Sequence, residues 1–89
     1  MANVKIPTPL RQLTDNMTSV DVKGSNVIEL IDNLDNKFPG VKDKIMEDNS
    51  LKHFVNIYIN GEDIRYIDSL NTEIKDNDEI SIVPAVAGG

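Results

Sequence analysis

Few residues in this sequence have the types and spacing to do chemistry, and one group stands apart. Val83-Pro84-Ala85-Val86-Ala87-Gly88-Gly89 closes an alternating apolar run and ends on a bare glycine carboxylate. Residues without Cβ can thread a narrow cleft in an extended form that bulkier residues cannot take. Such an end suits a partner's active site rather than catalysis in place. Gly89 is therefore the candidate reactive group. Gly88, Ala87, Val86, Ala85 and Pro84 are the candidates for recognition by whatever enzyme holds it.

The remaining groups fail on spacing. His53 is the only histidine and has no carboxylate or serine at a recognised separation, so it reads as a surface residue at a strand end. Asp76-Asn77-Asp78-Glu79 carries oxygen ligands but lacks the glycine and distal glutamate of an EF-hand loop, so it reads as a solvated turn and no metal site is expected. Asp68-Ser69-Leu70 is the tripeptide that receives phosphopantetheine in acyl carriers. Those proteins are helical bundles with the serine at a helix start, whereas this tripeptide lies late, between a hairpin and a strand. Arg11 and Arg65 are candidates to meet a partner's carboxylates, with ordinary surface charge as the simpler reading. No phosphate loop is present. The chain has no cysteine, which excludes disulfides, thiolate metal sites and a side-chain persulfide. Any sulfur chemistry would have to use the terminus.

Composition narrows the class further. Fifteen acidic residues against nine basic give a net charge of -6, and no cluster of Lys and Arg is present to follow a phosphate backbone, so nucleic acid is not an expected partner. The acidity reads first as solubility and second as complementarity to a basic enzyme that takes the tail. Hydrophobic content of 39% with 27% charged residues is globular, and 89 residues suit a single domain with one modest core. No run approaches the roughly 20 apolar residues of a membrane span, and Met1-Ala2-Asn3-Val4-Lys5 lacks a signal peptide's apolar region, so a cytoplasmic location and no membrane partner are expected.

The elements that would position the terminus can be read in chain order. Asn3 to Pro7 alternates weakly as a first strand, and Pro7-Thr8-Pro9 turns the chain so that Leu10 and Leu13 return to the core at helical spacing, with Arg11 exposed between them. Met17, Val20 and Val22 suggest a second strand, closed by Gly24-Ser25. Asn26 with Glu29 has capping-box spacing, and Val27, Leu30, Ile31, Leu34 and Phe38 form the apolar stripe of the main helix. Pro39-Gly40 ends it. Val41, Ile45 and Met46 make a further turn before the polar loop Glu47 to Ser50. From His53 the period becomes two, with Val55, Ile57 and Ile59 on the buried side. Asn60-Gly61 signals a hairpin because both central positions of its tight turn need positive φ, with Ile64 on the returning strand. Ile67, Leu70 and Ile74 fill a less regular stretch before the terminal strand Glu79 to Pro84. Residues 1–84 are the expected domain, and residues 85–89 a flexible tail.

This order of elements, with the acidic turn Asp76-Asn77-Asp78-Glu79, the strand Ile80 to Pro84 and the terminal Ala87-Gly88-Gly89, resembles the ubiquitin-like β-grasp sulfur carriers of the MoaD/ThiS family. Pro9-Leu10-Arg11 also fits. The segment His53 to Arg65, together with Pro84 to Gly89, is most similar to the branch that delivers sulfide for cysteine synthesis. Ala85 stands where the molybdopterin branch often has a second proline. The resemblance implies an α+β fold, with first and last strands parallel at the centre of a mixed sheet and one main helix across it. It also places Phe54, Ile57, Ile59, Ile82 and Pro84 on or beside the central strands. Phe54 and Ile82 are thus candidates for a partner surface, although period two does not distinguish that role from core.

What the resemblance implies chemically follows from the inert carboxylate. A ubiquitin-activating-like adenylyltransferase, using ATP and magnesium, would join Gly89 to AMP, and sulfur would then displace AMP to leave a thiocarboxylate. The chain would bind no cofactor and would itself be no enzyme. In the cysteine branch the acceptor would be an activated serine on a pyridoxal phosphate cysteine synthase, and a metal-dependent peptidase would release the product. In the molybdopterin branch the acceptor would sit on the large subunit of the synthase, and a thiamine pathway is a further option. Two competing readings are a protein modifier joined to lysines through the same glycine and an acyl carrier using Ser69.

Overall fold

The computed structural model describes residues 1–84. Its centre is a five-stranded sheet built from β1 (Ala2–Lys5), β2 (Ser19–Val22), β5 (Val55–Ile59), β6 (Glu62–Asp63) and β7 (Glu79–Pro84), in the order β2-β1-β7-β5-β6. The first and last strands lie side by side and parallel, with Val4 opposite Ile80, and every other pairing in the sheet is antiparallel. This is the ubiquitin-like β-grasp arrangement that the resemblance implies.

One helix, α1 (Val27–Lys37), covers one face of the sheet. It forms where the capping signals stand. The Asn26 side chain accepts from the Glu29 amide at 2.9 Å, and Glu29 reaches back one residue further than the usual box, to the amide and hydroxyl of Ser25. The whole stripe Val27, Leu30, Ile31, Leu34 and Phe38 is buried against Val4, Ile57, Ile80 and Ile82. Gly24 lets β2 pass close to this helix: a Cβ there would lie 2.7 Å from the Leu30 backbone nitrogen. After Phe38, α2 (Val41–Ile45) buries Val41 and Ile45, and Asp35 joins the two helices by accepting from the amides of Gly40 and Lys42.

Three expectations need correction. Met17 lies outside β2 and is exposed, because the second strand starts only at Ser19. The stretch from Glu47 to Ser50 is the turn of a small hairpin, β3 (Met46–Glu47) with β4 (Ser50–Leu51), and Asp48 and Asn49 both take positive φ. Ile64 begins a short 3-10 turn, Ile64–Tyr66, rather than extending β6, and this conformation buries it completely. Asn60 and Gly61 do adopt the positive φ values of a tight hairpin. Leu10 and Leu13 return to the core on a 3-10 helix, Thr8–Thr14, whose three-residue turn suits their spacing.

Candidate functional site at the root of the tail

The site is assembled where β7 leaves the sheet. Residues Ala85, Val86, Ala87, Gly88 and Gly89 lie outside the described residues, which end at Pro84. β7 alternates, with Ile80 and Ile82 buried and Ser81 and Val83 on the opposite face. Pro84 is half-buried and pairs with Val55. Asn60 donates its amide to the Glu79 carbonyl, which turns the backbone groups of Glu79, Ser81 and Val83 toward β5 and those of Ile80, Ile82 and Pro84 toward β1. The pairing with β1 stops at Ser81, so the amide that proline lacks would have met no strand. Pro84 therefore ends the ladder at no loss of a bond.

Both candidate arginines sit at this end, in roles the sequence did not disclose. Arg65 donates through Nη2 to the Val55 carbonyl at 2.8 Å and through Nη1 to Asn56 Oδ1 at 2.6 Å. The partner strand β6 has already ended at Asp63, so Arg65 supplies the donor that a longer strand would have given. Arg11 is half-buried rather than exposed, and its Nε donates to the Ile6 carbonyl at 3.1 Å, just past the end of β1. The two strands that flank β7 are thus each closed by an arginine beside the tail. No sequence signal would have found this, because each contact joins a side chain to a carbonyl whose strand has run out of partners.

Beside Pro84 lies an open groove of about 260 Å³, walled by Pro9, Leu10, Ile45, Phe54 and Ile82. Phe54 precedes β5 and leaves its alternation. It is half-buried, packed partly on the core and partly lining this groove. His53 is exposed and stacks on it with ring centroids 5.7 Å apart, and Lys52 Nζ lies 5.9 Å from its ring centre. Lys44 stands on the groove wall. Ile82 is 3% exposed, and Ile57 and Ile59 are buried with it, so these three belong to the core under α1. The open face of the sheet carries instead Asn3, Lys5, Asn56, Tyr58, Ser81 and the exposed Val83.

The other sequence candidates stay apart from this end. Asp76 pairs with the Met1 ammonium at 2.8 Å, and that hydrogen bond and charge hold its carboxyl below the usual range. Asp78 accepts from the amide of Lys75 and from the Asn60 side chain, so the acidic turn is tied up in holding the chain. Ser69 is exposed with φ of 51° in a 3-10 turn, Ser69–Asn71, which is not the start of a bundle helix. Among the described residues no helix is long and apolar enough to cross a membrane.

With this geometry in place, comparison with known proteins is decisive. The ThiS family profile matches residues 4–89. The chain belongs to the ThiS family. Sulfur carrier protein CysO of Mycobacterium tuberculosis is 42% identical over 89 residues, covering 97% of this chain and 96% of the relative. The fold superposes on a chain from the BexX/CysO complex of Amycolatopsis orientalis with a TM-score of 0.95, 42% identity and full coverage of both chains. It also matches the solution structure of small archaeal modifier protein 1 from Methanosarcina acetivorans, with a TM-score of 0.85 and 35% identity over 99% of this chain and 95% of that one. This ThiS-family chain is thus similar over 97% of its length to a protein named a sulfur carrier and over 99% to one named a modifier.

Proposed function

We propose that this ThiS-family chain is a sulfur carrier whose Gly89 carboxylate is adenylated and then converted to a thiocarboxylate. The observation that carries the reading is the end of β7. Pro84 closes the sheet at one pole of the fold, and the five following residues, ending Gly88-Gly89, span about 17 Å when extended. That length can reach into an enzyme while the domain stays outside. The similarity to sulfur carrier protein CysO supports the cargo and favours the cysteine branch.

The chemistry requires two displacements. The Gly89 carboxylate attacks the α-phosphorus of ATP, bound with magnesium on an activating adenylyltransferase, and pyrophosphate leaves. A sulfide-level donor then attacks the acyl carbon of this mixed anhydride, AMP leaves, and the terminus holds sulfur in place of one oxygen. The ionised thiocarboxylate is a soft nucleophile for an activated serine held by a pyridoxal phosphate cysteine synthase. The sulfur would replace the serine's activating group, which leaves, the acyl group would pass from sulfur to the cysteine amine, and a metal-dependent peptidase would free cysteine by hydrolysing that amide. The domain is a co-substrate that supplies recognition and a tether, and the catalytic groups belong to its partners. The chain's lack of cysteine supports this division, since it offers no thiol on which sulfur could be held instead.

A second reading has a specific observation behind it. The likeness to small archaeal modifier protein 1 favours a chain that is conjugated to other proteins after the same adenylation. The two fates separate by purifying the tagged chain from its native cell: a thiocarboxylate on free chain supports the carrier, and chain linked through Gly89 to lysines of other proteins supports the modifier.

A further inference from the structure

We infer that the groove beside Pro84 is the docking site for a partner enzyme's apolar side chain flanked by carboxylates. The surface deepens the carrier reading, resting on it only for which enzyme arrives. Its wall is apolar, from Pro9, Leu10, Ile45, Phe54 and Ile82, and no acidic side chain lines it. Lys44 stands on the wall and Lys52 sits over Phe54, while Arg11 follows Leu10. None of these three cations has an ion-pair partner among the described residues, whereas Lys5 and Lys42 are paired with Glu79 and Asp32. A chain of net charge -6 thus places three cations without an ion-pair partner around the apolar recess beside Pro84.

The larger groove of about 440 Å³ lies elsewhere, next to the Asn60 turn, and has the opposite character. Glu62, Asp68 and Glu73 line it against a single Lys75. The open face of the sheet is polar. A third groove, of about 210 Å³, sets Leu51, Ile64 and Leu70 beside Arg65, but that guanidinium is taken up by Val55 and Asn56. Among the described residues the recess beside Pro84 instead adds to its apolar walls the uncommitted ammonium groups of Lys44 and Lys52, at the point where an enzyme that takes Gly89 would come closest to the domain. Electrostatic complementarity acts mainly on encounter and orientation, so carboxylates around the arriving side chain would set the tail toward the enzyme's cleft. This reverses the expectation, drawn from net charge alone, of a basic enzyme: the local charge at the tail calls for an acidic rim.

The test uses the full chain with the activating enzyme of its own cell. Lys44→Glu combined with Lys52→Glu should raise the apparent KM for thiocarboxylation about tenfold or more and flatten its salt dependence, with kcat nearly unchanged. Glu62→Lys combined with Glu73→Lys, at the far groove, should leave both constants within about twofold, while thermal unfolding checks that each variant folds. Binding of the enzyme measured without ATP tests the surface separately, so a parent chain that binds but never acquires sulfur would sink the carrier reading and leave the docking surface supported. Equal KM values for parent and Lys44/Lys52 variant would overturn the docking surface. So would NMR shifts of the Leu10, Ile45 and Ile82 methyls on removing residues 85–89 from the free chain, which would make the tail itself the occupant. A dimer in solution broken by Lys44→Glu would overturn it as well.

Discussion

The two ends of the sheet are built by opposite means. At the tail root, arginines close the strands: Arg11 caps Ile6 and Arg65 caps Val55, on either side of β7. At the other end, where β7 begins, amides and carboxylates hold the chain. Asn60 accepts from the Glu79 amide and donates to Asp78, Asp78 accepts from the Lys75 amide, and Asp76 pairs with the Met1 ammonium. One end sets two arginines, Lys44 and Lys52 beside an apolar recess, and the other is a polar, acidic knot. Under the proposed function, the contrast lets a strongly acidic domain still offer a positive face to an enzyme that would take its terminus. Net charge describes the whole surface, while the proposed docking would depend on the few residues around Pro84.

Substitutions at each end should separate the two constructions. The largest acts on the core that both ends share: Leu30→Asp, at a side chain only 1% exposed, places an unpaired charge under the sheet and should cost about 4 kcal/mol or more. Urea unfolding monitored by circular dichroism would show it, and unchanged stability would refute the buried stripe. Next, Arg65→Ala removes two donors from the tail root and should cost about 1 to 2 kcal/mol, with Arg65→Lys recovering only part because an ammonium cannot fork between Val55 and Asn56. Amide exchange should quicken around Val55 in that variant and stay slow around Asn60. Asn60→Gly keeps the turn's backbone freedom and loses both side-chain bonds, so it should cost about 1 kcal/mol and loosen the other end instead.

The smallest effect is set by pH. Asp76 and Glu29 both have carboxyls held below their ordinary values, Asp76 by the Met1 ammonium and Glu29 by the backbone amide and then the hydroxyl of Ser25. A depressed folded-state pKa means that the stabilisation is complete above the unfolded-chain value and fades as pH falls through the folded one. Both groups are fully exposed, so the loss should be slight, confined to acid below about pH 4.5 and sensitive to salt. Asp76→Asn should weaken the acid dependence without changing exchange at Val55. A large shift in the neutral range would mean that another group governs the acid limb.

How far the sequence disclosed this structure depended on how local each signal was. The α1 stripe, its Asn26 cap and the Asn60-Gly61 turn were legible because each is written within a few residues. Val55, Ile57 and Ile59 fell on the buried side as their period requires. The β3–β4 hairpin was missed although Asp48-Asn49 tolerates the left-handed region, since two-residue strands are too short to show a period. Ile64 kept its burial but not its strand, because β6 gives way to a 3-10 turn after Asp63. At the site, the end of the ladder at Pro84 was legible, because proline lacks the donor that a further strand pairing would need. The duties of Arg11 and Arg65 were not, for they depend on where neighbouring strands stop in three dimensions. The core packing of Ile82 could not be read until the side of the sheet facing α1 was known, and it both packs there and walls the groove beside Pro84.

The most direct test of the central claim follows the terminus itself. Incubating the intact chain with its activating enzyme, ATP, magnesium and a sulfide source should exchange one carboxylate oxygen of Gly89 for sulfur, read as that mass change by intact-protein mass spectrometry and mapped to the last residue by fragmentation. Deleting Gly89 should abolish it while the domain stays folded, because the new carboxylate at Gly88 falls short by one residue, about 3.5 Å of extended chain. Gly88→Val should also block it by filling the narrow approach. Thiocarboxylation of the shortened chain at the parent's rate, or sulfur found on a side chain with the Gly89 carboxylate intact, would contradict the account.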